Sequence, residues 1–437
     1  MLGMLLIVAG LATGQPAVAD DAELRAQASR LVRSLGADTL KDREQAEQQL
    51  RELGPAVLKY LPVPNRRMSN EQQTRLKRVT DELRLRQAVD ATAGSTVTLK
   101  LDNVKLSEAL KELEEQSGNK FVDYRESMGQ KVNDPEVSLS VDAVPFWQAV
   151  DQLLAAAKLT VYPYATDDEG EPLQAVALVD EKTPGTWRRQ YVAYDQAFRF
   201  EAIRILARRG LQDSDENRLR LEMEAAWEPR LRPISISIHA DGMQAELGDA
   251  DTPLQVVSSG QQSIDVYGGS TQFPIYLALP PRTSTQLKKV RGKLSALLPG
   301  RIESFRFNRL GNVPREGVAK KLGDVTATLL QVVKNGSVWE VRLRATFESE
   351  AAEELDSHEE GWVAKNEVYL ESTDGKKTRV DVATTDDPAA VASESGTGFM
   401  FVLDEGDQIS NYQLVYNTPA ALVVQEVTFE FKDLPLP

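Results

Sequence analysis

The chain has 437 residues, enough for three or four domains of ordinary size, and its 41% hydrophobic content predicts packed cores rather than disorder. Its net charge is −15, and residues 311–437 alone carry 11 Lys and Arg against 23 Asp and Glu, a net of −12. That balance excludes the basic face that nucleic-acid phosphates demand. Cysteine is absent. This excludes disulfides, thiolate nucleophiles, cysteine-ligated zinc and a lipid-modified N-terminal cysteine.

The first residues read as a secretory signal peptide over 1–19. Leu5 to Ala12 is an apolar run too short to span a bilayer, and Ala17-Val18-Ala19 is a small-x-small cleavage site. No Lys or Arg precedes the run, so the amino terminus alone supplies the positive charge unless the chain starts further upstream. The expectation is an exported protein, periplasmic or extracellular, beginning at Asp20. No later stretch is long and apolar enough to span a membrane.

Residues 21–90 carry helical spacing. Leu24, Ala28, Leu31, Val32 and Leu35 mark one face, Ala46, Leu50 and Leu53 a second that Gly54-Pro55 ends, and Leu76, Val79, Leu83 and Leu85 a third. The segment "LGADTLKDREQAEQQLRELGPAVLKYL" resembles a single HEAT-like helical pair, which implies a cap or spacer, since solenoid repeats need neighbours. The basic stretch Arg66 to Arg86 is read as a solvated face.

A repeat follows. "VTLKLDNVKLSEALKELEEQSG" at 97–118 returns forty residues later as "VSLSVDAVPFWQAVDQLLAAAK" at 137–158, with Val97 on Val137, Leu99 on Leu139, Asp102 on Asp142, Ala109 on Ala149 and Leu113 on Leu153. Each copy passes from period 2 to a period near 3.6 and ends in a short strand, "NKFVDY" or "LTVYPY". The spacing predicts two strand–helix–strand units packing their helices on a shared small sheet, with Leu110 and Val150 both buried. A last strand, "QAVALVD", closes the region.

The phrase V-x-L-x-L-x-N-V-x-L-x-E-A-L-x-x-L at Val97–Leu113, and the second copy entering its helix at Val144-Pro145, resemble the short N-terminal (STN-like) domain of secretins and TonB-dependent transducers. The resemblance covers 95–182, about a fifth of the chain. Taken with the HEAT-like segment and the β-rich remainder, the chain resembles exported multidomain proteins of planctomycete bacteria. No secretin pore region or transmembrane barrel follows the repeat. The resemblance therefore implies an interaction module, and not a channel.

From Trp187 onward the pattern is β, with hairpin signals at Asp241-Gly242, Asn335-Gly336 and Asp374-Gly375. A break at "GNVPREG" divides it into two expected domains, 187–311 and an acidic 312–437, each an antiparallel sandwich. The fold class is thus multidomain α+β: a helical segment, a small βαβ-βαβ two-layer domain, then two antiparallel β-sandwich-like domains.

Motifs of catalysis, nucleotide binding or redox chemistry are missing. Of two histidines, His239 ends a strand, and His358 lies beside Ser357 in an acidic run; adjacency is not a triad, whose members meet in space. Acidic loops at 167–171, 248–252 and 403–408 are where calcium would bind, but none matches the twelve-residue calcium loop, so they are read as solvated turns and no cofactor is expected. Trp147, Trp187, Trp227, Trp339 and Trp362 are read as core plugs.

These observations predict a non-enzymatic exported envelope protein acting through protein–protein contacts, with an envelope protein as its partner. The expected contact is an edge strand at Phe121, Val122, Asp123 and Tyr124, open to an added partner strand; Pro163, lacking an N–H, places the second short strand at an edge. The alternative is a carbohydrate-binding or carbohydrate-active protein using the β domains. An acidic cluster and Trp facing one concave surface of a β domain favour that alternative; a flat surface with an uncovered sheet edge in 95–182 favours the interaction module.

Overall fold

The computed structural model describes residues 21–167, 170–181, 191–212, 217–248, 252–258, 260–264, 266, 268–323, 325–347, 363, 366–385, 396–404 and 406–437. The expected signal peptide, Trp187, His358 and Trp362 lie outside the described residues, as does part of each acidic loop. The fold is mixed α+β with several antiparallel sheets, and no sheet among the described residues closes into a barrel. The chain divides into two compact units, 1–87 and 88–437.

In the first unit lie α1 (Asp21–Ser34), α2 (Leu40–Glu52) and most of α3 (Asn70–Thr92), with a 3-10 turn at Pro55–Tyr60. The Thr39 hydroxyl caps α2 by accepting the Asp42 N–H at 3.2 Å. Gly54, at φ 71°, lets the chain turn into the 3-10 segment. Leu31, Leu35, Leu50, Leu76 and Val79 form the buried core, as the spacing predicts, and Val57 joins them; Leu85, expected on the same face, is exposed because α3 turns Leu83 inward instead. The basic stretch is not wholly a solvated face. Arg75 (2.7 Å) and Arg78 (2.6 Å) donate to the buried carboxylate of Glu47, with Arg51 at 2.7 Å.

The second unit opens with the repeat: β1 (Thr96–Lys105), α4 (Leu106–Ser117), β2 (Phe121–Asp123), β3 (Glu136–Pro145), α5 (Phe146–Ala157) and β4 (Leu159–Val161), then β5 (Val176–Asp180). The two long strands pair with each other, antiparallel, about a local twofold. Val97 lies opposite Val144 and Val104 opposite Val137, Leu99 opposite Val141 and Leu101 opposite Leu139, while Lys100 faces its own repeat equivalent, Ser140. Both strands bulge at the same repeat position, where Asn103 (φ 51°) and Ala143 (φ 49°) take the left-handed conformation.

The expected single shared sheet is in fact two. β1–β3 form one ladder, and β2 and β4 flank β5 in another, β2 parallel to β5 and β4 antiparallel. Val150 is buried but Leu110 only half-buried, because the helix turns Leu106, Ala109 and Leu113 inward instead.

The β region begins with β6 (Val192–Asp195), β7 (Phe198–Arg208) and β8 (Arg218–Trp227). Next come β9 (Ser235–His239), β10 (Gln244–Leu247), β11 (Pro253–Leu254), β12 (Gln261–Ile264), β13 (Ser270–Ala278) and β14 (Gln286–Phe307). It ends with β15 (Val318–Leu322), β16 (Val325–Asn335), β17 (Val338–Phe347), β18 (Glu367–Ser372), β19 (Lys377–Arg379), β20 (Val382–Thr385), β21 (Thr397–Val402) and β22 (Tyr412–Pro435). They form a four-stranded sheet β13-β8-β7-β6, a five-stranded sheet β15-β16-β17-β21-β20, and an eight-stranded sheet centred on β14 and β22.

β14 and β22 pair along their whole lengths, from Gln286 opposite Pro435 to Phe307 opposite Leu414. The break at "GNVPREG" therefore does not separate two sheets: it marks a turn, and the last strand returns to the first β region. Alternation along β14 sends Leu294, Ala296 and Leu298 to a core shared with β7 and β8, and Leu297, Phe305 and Phe307 to a core shared with β16, β17 and β21.

Candidate functional site

Of the four residues singled out from the sequence, Phe121, Val122 and Asp123 form β2, an edge strand of its three-stranded sheet, and Tyr124 follows directly. Their edge is partly engaged. Glu114 Oε1 accepts the Phe121 N–H at 2.9 Å, while Glu114 Oε2 takes Lys120 Nζ at 3.1 Å. The Phe121 ring packs 5.9 Å from Phe146, and Val122 is half-buried. Asp123 grips the buried Arg125 (2.6 Å), which also donates to Asn133 Oδ1 (2.6 Å) and its carbonyl (2.7 Å). The Arg125 hydrogen bond holds the Asp123 carboxyl below its ordinary value. Tyr124 stacks on Tyr162 with ring centroids 5.7 Å apart.

Tyr162 leads to a cavity of about 380 Å³, walled on one side by the segment after β4 and on the other by β7, β8 and the start of β13. That volume lies in the range of about 300–1,000 Å³ that small-ligand sites occupy. Tyr162, Pro163 and Tyr164 line it from the repeat, and Glu224, Ala226 and Pro229 line it from β8 and the residues just after. Tyr164 is 67% exposed, and its ring meets Tyr162 edge-on at 5.9 Å.

The polar floor is built around Arg199, which is 3% exposed. In "FRFEAIRIL" it alternates with Phe198 and Phe200, which face the sheet's own core, so β7 turns Arg199 to the opposite face, where Asp151 and Trp147 of α5 cover it. A buried guanidinium needs several acceptors. It donates to Asp151 Oδ1 (3.2 Å) and Glu224 Oε1 (3.3 Å), with Glu201 Oε2 at 3.7 Å. Its carbon sits 5.0 Å from the Trp147 ring centroid, a cation–π contact. Tyr194 donates to the other Asp151 oxygen at 2.8 Å, and Gln272 donates to Glu224 at 3.3 Å. Two donors here, Arg199 Nε and Trp147 Nε1, have no hydrogen-bond partner among the described residues; each such orphan costs about 1–3 kcal/mol.

Glu201 and Glu224 are cross-strand neighbours on β7 and β8, and both turn to the same guanidinium. The lining residues include no histidine. The floor can orient a polar ligand through its guanidinium, carboxylates and amide. His239 lies elsewhere, 2.8 Å from Ser295 Oγ. Among the described residues no group of three or more His, Asp or Glu is arranged to hold a metal, and no helix is long and apolar enough to cross a membrane.

Sequence reasoning read Trp147 and Trp227 as core plugs, and both are buried; it did not single out Arg199, Glu224 or Gln272, which come from three strands. The available signal was a charge inside a buried aromatic run.

No protein-family model and no curated protein matches the chain. Among solved structures, a conserved domain protein from Bacillus anthracis is similar at 8% identity, covering 56% of this chain and 89% of that one, with a TM-score of 0.16. A likeness at that score carries no argument about fold or function.

Proposed function

We propose that the protein is a non-enzymatic, exported component of the bacterial cell envelope that works by binding. In this reading 95–182 is an STN-like interaction module, and the β region is two sandwich-like halves joined through β14 and β22. The cavity over Arg199 is the binding site. The observation that carries the reading is the pairing of aromatic walls with a prearranged polar floor, contributed jointly by the repeat and the four-stranded sheet. A small number of placed polar groups among apolar walls is the general character of ligand sites. The β2 edge is a second surface, which a partner strand would use only by displacing Glu114 from the Phe121 N–H.

The test is affinity capture from envelope extracts of the native host. The immobilised chain should retain a component that a Tyr164→Ala, Ile203→Asp double variant, folded by circular dichroism, does not. Equal capture by both places the site elsewhere.

The carbohydrate reading draws support from one specific arrangement. Glu201 and Glu224, cross-strand neighbours on β7 and β8, line the same cavity as the aromatic rings of Tyr162 and Tyr164.

A further inference from the structure

We propose that the cavity over Arg199 binds a carbohydrate chain, with one sugar ring against Tyr164 and the next in the adjoining hollow. The inference rests on the reading of this cavity as the binding site and adds the chemistry of its occupant.

The charges on the floor select that chemistry. A cationic ligand meets the Arg199 guanidinium, and an anionic one meets Glu224, Glu201, Asp180 and Glu181. A wholly apolar ligand strips water from Arg199 and Glu224 and returns no hydrogen bond, which is costly. A neutral ligand rich in hydroxyls suits both signs, because each hydroxyl donates to a carboxylate and accepts from a guanidinium or amide. Gln130 and Gln272, which carry both donor and acceptor, line the same space.

The walls select a sugar among hydroxylated ligands. A pyranose has an apolar C–H face that packs on an aromatic ring, and Tyr164 offers such a ring to solvent. The platform is preformed. Leu173 N–H bonds the Ala165 carbonyl at 2.9 Å, Asp167 N–H the Glu171 carbonyl at 2.9 Å, and Thr166 bridges to Pro172 between them. Tyr162, stacked on Tyr124, holds the Tyr164 ring from behind. A ring fixed before binding loses little freedom on contact.

A chain is favoured over a single sugar because the space continues. A second hollow of about 300 Å³ shares Pro163, Tyr164, Ser270 and Gln272 with the first and is closed by Pro172 and Gly268. Tyr164 lies between two adjoining subsites.

The experiment is calorimetric titration of the purified chain with cellohexaose, maltohexaose and chitohexaose, each against its monosaccharide. At least one hexasaccharide should bind at about millimolar Kd or tighter, and about tenfold more tightly than its monosaccharide. Tyr164→Ala should weaken that binding about tenfold, and Tyr164→Phe should leave it within about threefold. The proposal is overturned if none of the three binds, if the monosaccharide binds as well as the chain, or if Tyr164→Ala binds as the parent does. If the sugars fail while envelope capture still depends on Tyr164 and Ile203, the carbohydrate inference falls alone. If capture is also unaffected, the site itself falls.

Discussion

Glu228, wholly buried at the end of β8, accepts the backbone N–H of Ser95 at 2.6 Å. The same carboxylate takes the Ser95 hydroxyl (2.7 Å), Asn119 Nδ2 (2.9 Å) and Arg230 Nε (2.8 Å). A buried carboxylate is tolerable only when paired and hydrogen-bonded in this way. One side chain therefore fastens the start of the repeat module and the end of α4 to the four-stranded sheet, and those two parts supply the opposite walls of the cavity.

Glu228→Ala should accordingly destabilise the chain by about 3 kcal/mol, since it leaves the Arg230 charge and three further donors without their acceptor. Glu228→Gln, which keeps some acceptor capacity, should cost less. Urea denaturation followed by tryptophan fluorescence measures both. Equal stability of Glu228→Ala and the parent contradicts the fastening role.

Ala143 and Asn103 occupy the same bulge position of the two repeat copies, at nearly the same positive φ. Asn visits that region readily, but for Ala it costs about 1–2 kcal/mol. Ala143 is also exposed. Ala143→Gly should then stabilise the chain by about 0.5–1 kcal/mol, after the extra chain entropy that glycine loses on folding. A rise in the thermal midpoint checks it, and a fall would show that the bulge is not formed as described.

Acid should act on the helical unit through Glu47. Burial pushes its carboxyl up, but hydrogen bonds from Arg78 and Arg75 outweigh burial and hold it below the usual value of 4.5. A carboxyl depressed in the folded state adds stability that is complete above its unfolded value and lost as pH falls through the folded one. The stability difference between the parent and Glu47→Gln should be largest near neutral pH and shrink below about pH 4.5. A difference independent of pH from about 7 to 3 contradicts the ionised Glu47 cluster.

Arg199 should not tolerate lysine. A lysine offers one ammonium where the guanidinium spans Asp151, Glu224 and the Trp147 face, so Arg199→Lys should lose about 2 kcal/mol or more of stability. Denaturant midpoints decide this. Parent-like stability in Arg199→Lys would mean that the fork geometry carries no weight.

The repeat was legible because its cause is local. The forty-residue offset, the change from period 2 to 3.6, and the inward Ala109 and Leu113 all follow from backbone geometry. Which strands pair was not legible, since two ladders and one sheet present the same alternation. β22 shows the limit clearly. Its residues run as one strand against β14, because register over that length is set by the cores on either face rather than by any short stretch. The cavity was legible only in part. The short strand "LTVYPY", which carries Tyr162 and Tyr164, was read from the repeat, whereas Arg199, Glu224 and Gln272 meet through cross-strand pairing that no short stretch encodes.

The central claim is that the chain engages its envelope target through the cavity beside Tyr164, and photo-cross-linking tests it most directly. A photoreactive residue placed at Tyr164 and, as a control, at Leu211, which is 97% exposed and outside the cavity, is activated in intact cells of the native host. The account predicts a discrete adduct from position 164 and none from 211. Absence of an adduct at 164, or the same adduct from both positions, contradicts it.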